Sequence, residues 1–195
     1  MSKSQNAEGG NSFNGNWNDQ TCFDWEMRNG IHLDNANFLN MYKETTKYIA
    51  ELIPFETFTD LGGGVGAYSK AMREFGKTVY YYDANIHHHE YAHQYDVATR
   101  YFYSDFTRIQ IEGDLVACIE VMEHIEDERL EPFLKRLKCN YFHFSSTPHT
   151  NPMDADWGHI NIKQEHEWIE LFEKCGFTFV QKLDRPTNWS LLFSK

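Results

Sequence analysis

Residues 114–127 read DLVACIEVMEHIED. An apolar run ends in Glu120, and Glu123 and His124 follow at steps of three and four. Two carboxylates and an imidazole at that spacing could ligate a divalent cation or move a proton. They could equally begin a surface helix. Two other histidines stand among loop-forming residues downstream, His149 in SSTPHTNP and His159 in DADWGHIN, and His124 itself follows the apolar run. A second histidine cluster, HHHEYAH, contains His89-Glu90-Tyr91-Ala92-His93. That is the H-E-x-x-H pattern of zinc proteases, which on a helix puts both imidazoles on one face. Its helix is short and polar, and Glu112 is a cheap third ligand to find. A solvated, histidine-rich helix start is the better reading.

The strongest signal lies upstream, in DLGGGVGAYSKA (60–71). It satisfies G-x-G-x-x-[GA] through Gly62, Gly64 and Ala67. It also satisfies [DE]-x-G-x-G-x-G through Asp60, Gly62, Gly64 and Gly66. Charge separates the two patterns. A dinucleotide places its pyrophosphate at the helix N-terminus after the turn, where amides and dipole favour an anion, and Asp60 would repel it. S-adenosylmethionine carries no phosphate, only a sulfonium and an ammonium, and the ammonium needs an acceptor such as Asp60. A phosphate-binding P-loop is excluded by the missing G-K-[ST]. Two more acids close strand-like segments: Asp83, with Ala84 after it, where a carboxylate can accept ribose hydroxyls, and Asp105, where it can accept an adenine amino group with Phe106 against the ring.

These residues need a scaffold that brings strand ends together. Apolar positions 38, 41, 42, 49, 52 and 53 have helical spacing, and Pro54 stops that helix. Short strands and helices then alternate. Strands are expected at 55–61, 78–83, 100–105, 114–120 and 140–146, and helices at 67–75, 88–95, 128–138 and 164–176. In the 128–138 helix Pro132 belongs in the first turn, and Asp127 is read as its cap. FTFVQKL and WSLLFSK form two last strands. Such alternation implies an α/β fold, a mostly parallel sheet with helices on both faces, and ligands at the carboxyl ends of the strands.

The motifs DLGGGVG, YYDAN, YSDF and CIEVMEHIED together resemble the class I S-adenosylmethionine-dependent methyltransferases, over about residues 38–195. The last motif is similar to the E-V-L-E-H segment of the ubiquinone-biosynthesis O-methyltransferase type. The resemblance implies a Rossmann-like three-layer sandwich with a seven-stranded sheet whose last strand is antiparallel. It implies that Asp60, Gly62, Gly64 and Gly66 line the methionine end of the cofactor, that Asp83 takes the ribose and Asp105 the adenine, and that Glu120 flanks the cofactor. The HHH run after DAN and the Asn-rich N-terminal segment depart from the family.

The expected organisation is a flexible arm over 1–20, a helical lid segment over 21–54 and the methyltransferase domain over 55–195. Phe13, Trp17, Phe23, Trp25 and Trp157 are candidate lid aromatics. The expected reaction is O-methylation of a small molecule or glycan, with His124, His149 or His159 as the base and no metal. Small-RNA 3′-terminal 2′-O-methyltransferases share E-x-x-E-H, and likeness to them would make Glu120, Glu123, His124 and His159 metal ligands. A non-catalytic cofactor-binding module is a third reading. The chain of 195 residues suits one domain, and its formal charge of −11 argues against broad phosphate-backbone binding. Four scattered cysteines read as reduced thiols of a cytoplasmic protein. No apolar run is long enough for a signal peptide core or a membrane helix.

Overall fold

The computed structural model describes residues 18–195. The expected arm up to residue 17, with Phe13 and Trp17, lies outside the described residues. The chain runs α1 (Asp19–Arg28), α2 (Ala36–Leu52), β1 (Thr57–Leu61), α3 (Ala67–Glu74), β2 (Thr78–Asp83), α4 (Ile86–Gln94) and β3 (Arg100–Tyr103). It continues through β4 (Glu112–Ile119), α5 (Asp127–Arg136), β5 (Lys138–Ser145), α6 (Asp154–Trp157), α7 (Glu165–Lys174), β6 (Thr178–Leu183) and β7 (Ser190–Ser194). Single 3₁₀ turns at 106–108 and 122–124 follow β3 and β4.

The seven strands form one sheet in the order β3-β2-β1-β4-β5-β7-β6. All pairings are parallel except those of β7, which runs antiparallel to both β5 and β6. Strand order reverses between β1 and β4, so a crevice opens beyond their carboxyl ends. The period of two in β4 splits the core. Val116 and Cys118 face α5 and α7 with Phe142, Phe144, Trp168 and Phe172. Leu115 and Ala117 face the opposite layer with Ile49, Phe58, Tyr68 and Met72. No helix among the described residues is long and apolar enough to cross a membrane, and the four cysteines are unpaired thiols.

Three local expectations change. Asp19 and Gln20, expected in the flexible arm, open α1, because Asn18 caps it by accepting the Thr21 amide at 2.9 Å. Pro132 sits in the body of α5 and not in its first turn, since that helix begins at Asp127. The carbonyl it leaves unmatched belongs to Glu128, an exposed residue that water can serve. Asp127 is the first helical residue and not the cap; its carboxylate accepts from Asn161 Nδ2 at 3.1 Å and Lys163 Nζ at 2.7 Å.

Candidate active site

The crevice holds a cavity of about 390 Å³, within the range of small-molecule sites. Asp60, Gly62, Gly64, Asp83, Ala84, Asp105, Phe106, Glu120 and His124 all line it. Gly66 does not. It has φ +81° as the cap of α3, and a side chain there would strike Val97. Gly64 has φ +55°, and a Cβ on it would meet nothing within 4 Å. The turn therefore leaves room for a ligand to lie against its backbone.

Asp60, the penultimate residue of β1, is buried, accepting Ser69 Oγ at 2.7 Å and the Ser69 amide at 3.2 Å. Burial outweighs those bonds and pushes its carboxyl up to about 6. Asp83 is oriented by the Gly64 amide at 2.9 Å and the Asn85 amide at 2.7 Å. Asp105 accepts from the Thr107 amide and hydroxyl through one oxygen and from Arg108 and Arg129 through the other. Glu26 and Cys22 of α1, His88 of α4 and Arg129 of α5 also line the cavity. Sequence reasoning passed over all four, although the HHH run had marked position 88 as unusual.

Glu120 and His124, which line the cavity, belong to an acidic and histidine-rich cluster with Glu123 and His159. Glu120 has φ +56°, a conformation rare for a non-glycine residue and typical of constrained functional positions. It aims its carboxylate at Ser145 Oγ and at Trp189 Nε1, the latter at 2.8 Å. Glu123 is fully buried, and neither of its carboxylate oxygens has a hydrogen-bond partner. Burial first, and then the charge of Glu120, drive its carboxyl well above the ordinary range. His124 and His159 face each other with ring centroids 4.8 Å apart. Burial, with His159 adding to it, lowers the His124 imidazole to about 4.

Two backbone bonds bring His159 back to this point. The amides of Ile160 and Asn161 both donate to the Glu123 carbonyl, at 2.8 and 3.0 Å, and Asn161 Nδ2 donates to the Ile125 carbonyl. The Nδ1 atoms of both imidazoles meet acceptors, the Gly158 carbonyl at 3.3 Å and Asp154 Oδ1 at 2.8 Å. An Nδ1 so paired carries the proton and puts the lone pair on Nε2, the arrangement of a metal-binding or base-acting histidine. Ligand atoms of Glu123, His124 and His159 lie within 4.8 Å of one another.

The remaining candidates lie elsewhere. His149 is exposed and its ring is 6.1 Å from that of Trp189. His89 and His93, 6.4 Å apart, pack against Tyr101. Glu112 is engaged with Lys138 at 3.1 Å. Among the described residues, the Glu123 cluster is the group of three side chains arranged to hold a metal ion.

A family model described as a methyltransferase domain matches residues 37–182. The chain belongs to the class I S-adenosylmethionine-dependent methyltransferases. S-adenosylmethionine is the cofactor of this methyltransferase. Solved structures agree in fold. Magnesium protoporphyrin IX methyltransferase from Synechocystis PCC 6803, with bound S-adenosylhomocysteine, is 18% identical with a TM-score of 0.67, over 91% of this chain and 95% of that one. An S-adenosylmethionine-dependent methyltransferase from Clostridium acetobutylicum ATCC 824 is 13% identical, TM-score 0.65, over 89% and 98%. The mitomycin 7-O-methyltransferase is 15% identical, TM-score 0.63, over 83% of this chain and 55% of its own length. No curated protein matches the sequence.

Proposed function

We propose that this methyltransferase methylates a hydroxyl of a small-molecule or glycan acceptor presented at the Glu120–Glu123–His124–His159 cluster. The cofactor lies in the adjoining cavity. Its methionine end would meet the Gly62–Gly64 turn, with the ammonium on Asp60, whose carboxyl burial holds up at about 6 against its two Ser69 bonds. Its ribose meets Asp83, already aimed by two amides. Its adenine lies against Phe106. Asp105 is occupied by four donors, so the adenine amino group reaches it by displacing Arg108, whose side chain is half exposed.

The reaction is an in-line displacement. Bound S-adenosylmethionine would supply the methyl group, its sulfur keeping the electron pair of the broken bond, while the chain's residues would hold the acceptor hydroxyl in line and take its proton. The observation that carries the reading is the buried, unpartnered Glu123 carboxylate beside two imidazoles with Nδ1 tied. A buried carboxylate needs a proton or a cation. Glu123, His124 and His159 have the donor set of a divalent cation site, with Glu120 beside them. Such an ion would make the acceptor hydroxyl more acidic. With an ion bound, Glu120 would orient the acceptor and take its proton; with none, the Nε2 atoms of the imidazoles can take it instead.

Calorimetry should find S-adenosylhomocysteine binding to the wild type and none to Asp83→Ala; absence of binding by the wild type would sink the cavity assignment. Mn²⁺ should bind the wild type and not His159→Ala, and chelator should suppress methyl transfer to hydroxylated acceptors. Full activity in chelator returns the cluster to proton transfer alone.

A second reading follows from the convergence of His159 on E-x-x-E-H: methylation of the terminal 2′-hydroxyl of an RNA. The charge of −11 weighs against it. Methyl transfer to an RNA with a 3′-terminal ribose, absent from its 2′-deoxy counterpart, would select it.

A further inference from the structure

Helix α1 carries two neighbouring side chains that reach different parts of the site. Glu26 lines the cofactor cavity and pairs with His88 Nε2. The Nδ1 of the same imidazole stands 3.8 Å from Asp83 Oδ1. A buried cationic ring thus lies between two carboxylates, one on α1 and one at the end of β2. The two acids together hold it protonated against the cost of burial. Trp25, one residue earlier, packs edge-on against Trp157 of α6 with centroids 5.6 Å apart. Trp157 lies 5.5 Å from the His159 ring, which faces His124.

The rest of the α1 contact surface is directed at α4. Asn85, the α4 cap, donates to the Asp19 carbonyl at 3.1 Å, and the Phe23 ring rests on His87, His88 and Tyr91. The helix is therefore seated on the element that follows Asp83, while Trp25 reaches across to the turn that carries His159.

We propose that Glu26 and Trp25 are positioning residues on a strap that ties the two halves of the site together. Glu26 sets Asp83 through His88, and Trp25 sets the 154–159 turn through Trp157. Filling the cofactor cavity then orders the acceptor side before any acceptor arrives. The coupling is reciprocal, so a bound acceptor also tightens cofactor binding. The inference rests on the cofactor occupying the Asp60–Asp83 cavity.

The test uses S-adenosylhomocysteine as ligand, with calorimetry and backbone hydrogen exchange on the full chain. In the wild type, ligand should slow exchange several-fold at the Trp157, His159, Ile160 and Asn161 amides, which are bonded to the Met153, Asp154 and Glu123 carbonyls. Trp25→Ala should bind the ligand within about twofold of wild type yet lose that slowing, and Trp25→Phe should restore most of it. Glu26→Gln should weaken binding on the order of tenfold, the scale of one charge-assisted hydrogen bond, through a faster off-rate. Wild-type slowing that survives in Trp25→Ala, or wild-type affinity in Glu26→Gln, overturns the strap alone. No ligand binding by the wild type overturns the cavity assignment and the strap with it.

Discussion

Replacing Glu123 by Gln keeps the shape of the side chain and removes its titration. In the metal-free protein the folded state holds the Glu123 proton well above the ordinary value of 4.5, because burial and the nearby Glu120 disfavour the anion. The unfolded chain releases that proton near the ordinary value. Below it, both states are protonated and this contribution to stability is fully present. As pH rises from there towards the folded pKa, the unfolded state alone loses the proton, and stability falls by about 1.4 kcal/mol per pH unit. The buried Gln amide carries a cost of its own, but that cost is independent of pH. Glu120 titrates in both proteins, so the quantity to read is the difference between them. Urea unfolding in chelator at pH 5.5, 6.5 and 7.5 should show wild type losing ground to Glu123→Gln by up to about 1.4 kcal/mol per step. Mn²⁺ at a hundred times its dissociation constant should then add about 2.7 kcal/mol to the wild type and little to the variant. Parallel stability profiles in chelator would show that Glu123 titrates as it does in water, and the account of the cluster would fail.

Other outcomes follow from the same geometry. Gly64→Val puts a branched side chain into the open space at φ +55°, so it should abolish S-adenosylhomocysteine binding in calorimetry while costing about 1–2 kcal/mol of folding stability in urea. His149→Ala should leave kcat/KM for any accepted substrate within about twofold, because the exposed imidazole lies outside the cavity; a hundredfold loss would make it the base. Trp168→Ala removes a buried ring packed on Phe144 and should cost about 3–5 kcal/mol in chemical denaturation without moving the cofactor affinity of the molecules that remain folded.

The scaffold was legible because its signals are local. The alternation of β-branched and aromatic runs with helical spacing marked the seven strands, and the glycine turn after the first of them marked the crevice. The cluster was half legible. Glu120, Glu123 and His124 are neighbours in sequence, but the approach of His159 depends on two amides meeting one carbonyl across 37 residues or so, and no periodicity encodes such a bond. Helix α1 fell within the expected helical lid segment, but its bounds and its contacts were hidden for a different reason. Its residues have weak amphipathic order because one side meets polar α4 and lines a cavity, so the helix lacks the apolar stripe by which helices are usually found. His88 illustrates the same limit: a histidine run reads as solvated surface until the fold places one member between two acids.

The attachment of residues 160 and 161 to the Glu123 carbonyl has a consequence for how such an enzyme changes its diet. The anchor is made by main-chain atoms, so it does not depend on which side chains occupy the segment before it. On the proposed placement of the acceptor, residues 147–153 can be exchanged as a cassette, while Asp154, Trp157 and the two amides keep His159 at the same address. Substrate range and catalytic alignment are thereby inherited separately, and a laboratory that wished to retarget the enzyme would vary the cassette and leave its two fastening amides alone.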